Sequence, residues 1–403
     1  MDAVDLLVQD IGELLTMAEG EGPLGVRRGT SVAFTGGELV WLGPAEQAPR
    51  AREVVDGRGC VGLPGLVDAH THSLFAGSRA GEFQRRLGGT SYSTILEEGG
   101  GILSNVRATR AASDEELAAS LSGRLQHFLE QGVTHVEVKT GYALDLEHEL
   151  RCLRLLTGRR WPTRVSPTFL GAHTVPAEWR PDRRGYVGFL IAEVLPQVAV
   201  LAEFVDVYCD RGAFTLEDTR SILEAGLALG LKGRVHAEQV QHTGAAALAA
   251  ELGCTSADHL ERLDEAGVAA MGASETVAVL LPGAMLYLKD PPPPVAALRE
   301  AGVPLAVATD FNPGSSPVRS LLACATLSCL TMGLSVEEAL LGITRVAGRA
   351  LGRPELGWLG PGSTADLALF RPPPGEPVCH ASLVQYLGGH RAEAVVRDGL
   401  RVV

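Results

Sequence analysis

Short apolar runs alternate with helical patterns through the middle of the chain. Strand-like runs separated by longer amphipathic stretches are typical of a parallel sheet whose strands are joined by helices. Eight such units over about 250 residues match the size of a (β/α)8 barrel, so the pattern predicts an α/β fold of the TIM-barrel type. The eight predicted strands lie at residues 60–66, 134–139, 165–170, 204–208, 233–236, 256–259, 276–281 and 305–309.

Two of the intervening helices carry a start signal. Residues 113–116 (SDEE) and 215–218 (TLED) are capping boxes, in which a hydroxyl and an acidic side chain satisfy free backbone amides. They predict helices that end at Leu129 and Leu229. The uncharged stretch 320–336 is marginally short and too polar for a membrane span, so we expect a buried helix there.

Both ends of the chain have a different pattern, with short β segments separated by glycines. Gly36-Gly37 lies between two such segments and is a hairpin signal. Since the barrel occupies the middle, the two ends are expected to form one small β-sandwich, with residues 1–59 and 360–403 outside a barrel of residues 60–359. The predicted segments are 31–34, 38–42, 53–55, 365–370, 394–396 and 400–403.

Charge and cysteine content exclude several classes of protein. The 403 residues carry a formal charge of −13 with no block of Lys or Arg, so neither nucleic acid nor a membrane is an expected partner. The seven cysteines form no C-x-x-C pair, which argues against a disulfide framework and a zinc ribbon. The acidic N-terminus is unlike a secretory signal, and a cytoplasmic location is expected.

The first predicted strand is followed by the sequence His70-Thr-His72. In an extended strand, residues i and i+2 point to the same face, so two imidazoles at this spacing can hold one metal ion. Two ordinary surface histidines are the alternative, and the motif alone does not decide between them.

Other polar residues follow other predicted strands, at the end of the barrel where active sites of this fold lie. These residues are His173, His236, His259 and Asp310. Three histidines and one aspartate suffice for a mononuclear site with one position open to water, which predicts hydrolysis of an amide-like bond or hydrolytic deamination. Lys139 also ends a strand; a carbamylated lysine could bridge a second metal, but a salt bridge near the barrel mouth is the expected role.

The remaining histidines have no such placement. Four of them, His127, His148, His380 and His390, are expected to be structural or at the surface. His135 begins its strand and His242 follows a predicted site loop, so neither has comparable support.

Several longer motifs carry a resemblance to a known family. Residues 64–72 (PGLVDAHTH) are similar to the first-strand signature of the amidohydrolase superfamily. Within it the chain resembles the imidazolonepropionase family of histidine degradation, and the resemblance covers nearly the whole chain. The motifs are 74–79 (LFAGSR), 99–101 (GGG), 139–142 (KTGY), 168–173 (TFLGAH), 309–316 (TDFNPGSS), 365–369 (ADLAL) and 385–389 (QYLGG).

The resemblance implies a reaction and a role for each matching residue. The reaction is hydrolysis of the ring carbon–nitrogen bond of 4-imidazolone-5-propanoate to N-formimino-L-glutamate by a metal-bound hydroxide, and a homodimer is suggested. One Zn²⁺ or Fe³⁺ per chain would be held by His70, His72, His236 and Asp310. Substrate or product would contact Arg79, Tyr142, His173, Gln239, Asn312, Gly314 and Ser315. The catalytic residues would be Asp310, which carries the proton, His259, which stabilises the oxyanion, and Gln239.

Three points leave alternatives open. Some family members carry glutamate where this chain has Gln239, and an amide cannot act as a general base at neutral pH, so proton transfer would pass to Asp310 or His259. A surface ion pair is the alternative role for Arg79 and the expected one for Arg85 and Arg86. The rival functions are another amidohydrolase, such as a cyclic-amide hydrolase or base deaminase, and a catalytically silent scaffold, which would lack metal ligands.

Overall fold

The computed structural model of the chain describes residues 3–90, 94–95, 98–388 and 391–403. Predicted features at Gly389 and His390 lie outside these residues. Within the described part, every helix is too short or too polar to cross a lipid bilayer.

Eight parallel strands form the central sheet, and each pairs with its neighbour in chain order. The first and last strands are joined beyond their ends, where Thr71 bridges Phe311 and the amide of Asp310 donates to the carbonyl of His70 at 3.0 Å. The predicted (β/α)8 barrel is confirmed. Its strands are Leu66–Asp68, Val133–Lys139, Arg164–Ala172, Phe204–Cys209, Lys232–Ala237, Ser256–His259, Val277–Leu280 and Leu305–Val307.

Helices follow these strands along the chain and surround them in space. Both predicted capping boxes are present, with Ser113 and Thr215 each accepting from a backbone amide three residues on. The uncharged stretch forms a helix, Leu321–Met332, that is mostly buried, as predicted. The described α-helices are Ala80–Leu87, Ile102–Ala111, Asp114–Leu129, Leu146–Thr157, Arg183–Phe189, Leu195–Val198, Leu216–Ala228, Ala245–Glu251, Glu265–Gly272, Pro282–Leu288, Val295–Glu300, Leu321–Met332, Val336–Gly342, Arg345–Ala350 and His380–Gln385.

Strands from both ends of the chain form two further sheets, of four and six strands. Apolar side chains from the two sheets share one core, including Leu6, Phe34 and Leu367, so the predicted small β-sandwich is confirmed. Gly36 and Gly37 have φ angles of 59° and 85° and form the predicted hairpin turn. The strands are Val4–Ile11, Glu13–Leu15, Val26–Arg27, Thr30–Thr35, Glu38–Pro44, Ala51–Asp56, Val61–Pro64, Leu367–Phe370, Ala394–Arg397 and Leu400–Arg401.

The predicted first barrel strand, residues 60–66, is wrong in one respect. Its first part, Val61–Pro64, pairs antiparallel with Leu367–Phe370 and parallel with Glu13–Leu15, so it belongs to the six-stranded terminal sheet. The barrel begins after Gly65, with Leu66–Asp68. A run that is buried on both faces has the same apolar pattern in either sheet, which is why periodicity did not separate the two parts.

Candidate metal centre and active site

Three histidines converge at the carboxyl ends of the barrel strands. One ring nitrogen from each of His70, His72 and His236 lies within 4.8 Å of the other two. The Nε2 atom of His72 is 3.3 Å from Nε2 of His70 and 3.2 Å from Nε2 of His236. Asp310 Oδ1 lies 3.5 Å and 3.4 Å from Nε2 of His70 and His72. The four residues predicted as ligands are therefore brought together.

Buried carboxylates orient two of these rings. Asp206 Oδ1 is 3.0 Å from Nδ1 of His236, and Asp258 Oδ2 is 2.5 Å from Nδ1 of His70. Since a carboxylate accepts the Nδ1 proton, each neutral ring is left with its lone pair on Nε2, facing the centre. Burial also lowers the pKa of His236 well below its usual range, which favours this neutral form.

Fully buried cations hold the two carboxylates in turn. Lys139 Nζ lies 2.7 Å from Asp206 Oδ2 and 2.8 Å from Glu137 Oε1, so the predicted salt bridge of this lysine is confirmed. On the other side, Arg234 Nη2 is 3.0 Å from Asp258 Oδ2. Burial alone would raise the pKa of both aspartates, but the neighbouring cations and histidines hold it below the usual range.

This donor set fits a metal ion. Nε2 of His72 lies 3.3 Å from Nε2 of His70 and 3.2 Å from Nε2 of His236, and unprotonated nitrogens this close would repel without a shared cation between them. Nitrogen donors from three histidines with one carboxylate form a common ligand set for zinc and for non-haem iron. The residues that would hold the ion are the predicted His70, His72, His236 and Asp310.

The loop after the last barrel strand is held together by Asn312. Its Nδ2 donates to Asp310 Oδ2 at 3.0 Å, and its Oδ1 accepts from the amides of Gly314 and Ser315 at 2.8 and 2.7 Å. Asp310 itself has a φ of 50°, a conformation that non-glycine residues rarely adopt. Asn312 therefore fixes both the orientation of Asp310 and the shape of the loop.

A cavity of about 650 Å³ opens above the histidines. Every residue predicted to contact substrate or product lies in its wall, together with His259 and Asp310. The predicted contact residues are Arg79, Tyr142, His173, Gln239, Asn312, Gly314 and Ser315. The structure places them around one space, and their individual roles remain predictions.

His173 lies on one side of this space. Its ring stacks on His72 with centroids 4.9 Å apart, and the Tyr142 ring meets it edge-on at 5.4 Å. Nδ1 is 3.0 Å from the carbonyl oxygen of Gly141, which can only accept, so Nδ1 carries the proton. Burial lowers the pKa of His173 to about 3, and the neutral ring keeps Nε2 as an acceptor.

His259 lies on the opposite side, at the end of the sixth barrel strand. Its ring is 5.6 Å from that of His236, and its Nδ1 is 3.8 Å from Glu261 Oε2. Burial acts to lower the pKa of His259, but Glu261 together with the charges of Asp310 and Asp258 outweighs it, and the pKa is raised. His259 and Leu260 both have positive φ, 82° and 76°, a strained backbone of the kind that clusters at functional sites.

Comparisons with known proteins agree with this geometry. The model of the Amidohydrolase family matches residues 81–403. Imidazolonepropionase from Rubrobacter xylanophilus is 45% identical over 416 residues, covering 99% of this chain and 99% of that protein. Imidazolonepropionase from Caulobacter vibrioides is 46% identical, covering 96% and 97%. The chain belongs to the imidazolonepropionase family of amidohydrolases. It is a hydrolase.

Solved structures of more distant proteins share the fold. A zinc-bound adenosine deaminase from Xanthomonas campestris superposes with a TM-score of 0.74 at 18% identity, covering 99% of this chain and 93% of that chain. A triazine hydrolase variant superposes with a TM-score of 0.70 at 17% identity, covering 99% and 94%. At this identity the likeness concerns the fold alone.

The structure also shows the surroundings of the other histidines and arginines considered in this imidazolonepropionase-family chain. His127 and His148 lie in helices, as expected, and His135 is buried against Ser166 Oγ at 3.0 Å, away from the histidine centre. Arg85 forms the expected exposed ion pair with Glu98. Arg86 does not pair with a carboxylate among the described residues; its Nη2 donates to the carbonyl of Tyr287 and it lines the cavity.

Sequence reasoning missed the groups that support the predicted metal ligands in this family member. Asp206, Asp258 and Arg234 lie within barrel strands and are fully buried. The feature that could have revealed them is a charged residue inside an otherwise apolar strand. Such a residue is tolerated in a buried strand only when its charge is paired. Their partners lie on other strands, and no sequence spacing gives that pairing.

Proposed function

We propose that the protein hydrolyses 4-imidazolone-5-propanoate to N-formimino-L-glutamate. The observation that carries this proposal is Arg79 in the wall of the same cavity as the histidine centre, in a chain 45% identical to an imidazolonepropionase over 99% of its length. One water is consumed: its oxygen bonds to the ring carbonyl carbon, the bond from that carbon to the adjacent ring nitrogen breaks, and the nitrogen gains a proton.

The cavity walls support a division into a binding end and a reacting end. At the binding end, Arg79 offers paired N–H donors to the propionate of the substrate. Tyr142, His173 and Ser315 hold the ring and its side chain, with His173 accepting at Nε2. Asn312 and Gly314 form the loop that receives the product.

The reacting end is formed by Asp310, His259 and Gln239. Asp310 takes the proton of the attacking water on its carboxylate and passes it to the leaving ring nitrogen. His259 donates to the oxygen that becomes negative as the carbonyl is attacked. Gln239 orients the ring through its amide and exchanges no proton.

The metal is one zinc or iron ion per chain, held by the three histidines and Asp310. When bound, it supplies a Lewis acid that activates water and polarises the ring carbonyl. Elemental analysis of the purified protein should give one equivalent. Changing His236 to Ala should abolish tight binding, and a full equivalent in that variant would contradict the ligand assignment.

We also propose that the enzyme works as a homodimer in the cytoplasm. The dimer rests on the resemblance to the imidazolonepropionase family, and a cytoplasmic location is consistent with an enzyme of histidine degradation. Sedimentation of the purified protein tests the dimer, and a monomer across micromolar concentrations would contradict it.

The deciding assay compares three substrates on the metal-loaded enzyme: 4-imidazolone-5-propanoate, a neutral cyclic amide and a purine nucleoside. We expect turnover of the first and none of the other two, because only the first carries a carboxylate for Arg79. Faster deamination of the nucleoside, or hydrolysis of the neutral amide with comparable kcat/KM, would favour the rival amidohydrolase functions.

A further inference from the structure

The guanidinium of Arg79 is held by a carboxylate that has no role in the proposed reaction. Arg79 precedes the helix Ala80–Leu87, and its Nε donates to Glu82 Oε2 at 2.8 Å. Only 10% of the Arg79 side chain and 15% of the Glu82 side chain are exposed, so this pair is not an ordinary surface salt bridge. The bond through Nε leaves Nη1 and Nη2 without a carboxylate partner among the described residues.

Glu82 is itself fixed at its other oxygen. Oε1 accepts from the backbone amide of Gly101 at 3.0 Å and lies 3.5 Å from Ser104 Oγ. Gly101 precedes the helix Ile102–Ala111, whose first residues, Ile102 and Leu103, line the cavity. The carboxylate therefore joins the arginine to a second wall of the cavity.

The loop after the last barrel strand holds the arginine from the other side. A Cβ added at Gly314 would lie 1.9 Å from Nη1 of Arg79, so the guanidinium packs directly on the bare backbone of that glycine. The amide of Gly314 is in turn fixed by Asn312 Oδ1 at 2.8 Å. Arg79 is thus clamped between Glu82 at Nε and the loop backbone at Nη1.

We propose that Glu82 is the positioning residue of the carboxylate subsite, which rests on the proposed function. A free arginine side chain loses rotamer entropy when it binds a ligand. Glu82 holds the guanidinium of Arg79 in place before substrate binds, and its negative charge compensates the charge of this largely buried group. An uncharged acceptor can keep the bond to Gly101, whereas the charge of Glu82 acts on the substrate through Arg79, so removing that charge should matter only for ligands with a carboxylate.

The test uses Glu82→Gln with Glu98→Gln as the matched control. Glu98 also pairs with an arginine of the same segment, Arg85 Nη2 at 2.6 Å, but both side chains are exposed. Each variant is assayed on 4-imidazolone-5-propanoate and on its neutral propionamide. For Glu82→Gln we expect KM for the carboxylate substrate to rise about tenfold or more with kcat within about twofold. The propionamide kinetics and all values for Glu98→Gln should match the wild type.

A second readout does not require turnover. Binding of imidazole-4-propanoate, a ring carboxylate without the reactive carbonyl, is measured by calorimetry for the wild type, Glu82→Gln, Arg79→Met and the double variant. We expect Glu82→Gln to raise Kd about tenfold alone and to add nothing once Arg79 is replaced by methionine. Should Glu82→Gln fail to fold, Glu82→Asp keeps the charge but withdraws it by about one bond length, and the same loss of affinity is expected.

Three results would overturn the inference. An unchanged KM and Kd in Glu82→Gln would show that Arg79 needs no support. A lower KM would show that Glu82 repels the substrate carboxylate. A loss in kcat that extends to the propionamide would place Glu82 in the chemistry. If the wild type does not hydrolyse the imidazolone at all, the proposed function fails, while the calorimetric cycle still decides the role of Glu82.

Discussion

Asp206 is expected to set the metal affinity of the site without being a ligand. Its Oδ1 accepts from Nδ1 of His236 at 3.0 Å, and the two side chains are 0% and 3% exposed, so water has little access to replace this bond. Asp206→Asn keeps the size and one acceptor but removes the charge that makes the histidine a stronger donor to metal. Loss of such a partner lowers metal affinity by 10- to 100-fold, about 1.4–2.8 kcal/mol. Because the bond is buried, we expect the upper half of that range.

The fold should survive this substitution. Lys139 would keep Glu137, whose Oε1 lies at 2.8 Å, and the amide oxygen of the introduced asparagine could still accept one of the lysine hydrogens. Asp206→Ala would instead leave the lysine with one partner and an unfilled space, and removing one member of a buried ion pair costs about 3–5 kcal/mol. We therefore expect the asparagine variant to lose metal affinity while its stability to urea stays near that of the wild type. We do not expect this combination for the alanine variant.

The assay is competition for zinc against a chelator of known affinity, with urea unfolding measured in parallel. Glu203→Gln is the control, because it weakens a part-buried ion pair with Arg353, at 2.8 Å, at the other end of the barrel. That variant should lose stability and keep its metal affinity. The reasoning is refuted if Asp206→Asn binds zinc within about twofold of the wild type, or if the control loses as much affinity.

Three further outcomes follow from the site and the terminal sheets. Arg79→Lys keeps the charge but loses the planar fork, so steady-state kinetics should show KM rising much more than kcat falls. Gln239→Ala should weaken activity without changing the shape of the pH–rate profile, whereas Asp310→Asn should remove nearly all turnover; equal loss in both, with metal bound, would contradict the assigned roles. Burial acts to raise the pKa of Glu13, but the hydrogen bonds and charge of His380 together with the hydrogen bond from Arg28 outweigh it and lower the pKa below 4.5, so Glu13 stabilises the fold above that pH and progressively less below it. Urea unfolding of Glu13→Gln at pH 7 and pH 3 should show a smaller difference in stability than the wild type.

The positions of the ligands were predictable because they depend on local rules. Residues two apart in a strand share a face, and the carboxyl ends of parallel barrel strands lie at one end of the barrel. From these two rules the sequence alone predicts that His70, His72 and His236 lie close together. The Gly36-Gly37 hairpin and the capping boxes are equally local. Each rule needs only the residue types and their spacing. The capping boxes, the hairpin and the convergence of the three histidines are confirmed, although His70 and His72 lie just beyond the strand Leu66–Asp68 instead of within it.

The support behind the ligands depends on contacts between strands that are distant in sequence. Lys139 lies on the second strand and Asp206 on the fourth, and residues from alternate strands share a layer inside such a barrel. The ion pair between them needs the tilt and stagger of the barrel, which no periodicity contains. The sequence could predict that a lysine and an aspartate inside apolar strands each form an ion pair, but it could not predict which residue is the partner of each.

The split of the first predicted strand links the terminal sandwich to the metal centre. At Gly65 an added Cβ would lie 2.2 Å from Thr134 Oγ1 and 2.8 Å from Asp366 Cβ, so the chain crosses from one sheet to the other at a point with no room for a side chain. The Gly65 amide donates to the Asp366 carbonyl at 3.1 Å, which fixes this crossing. His70 follows the crossing by only five residues. The strand Leu66–Asp68, which leads to His70 and His72, is therefore anchored beside the terminal sheet, and the sandwich formed by both chain ends determines where that strand enters the barrel.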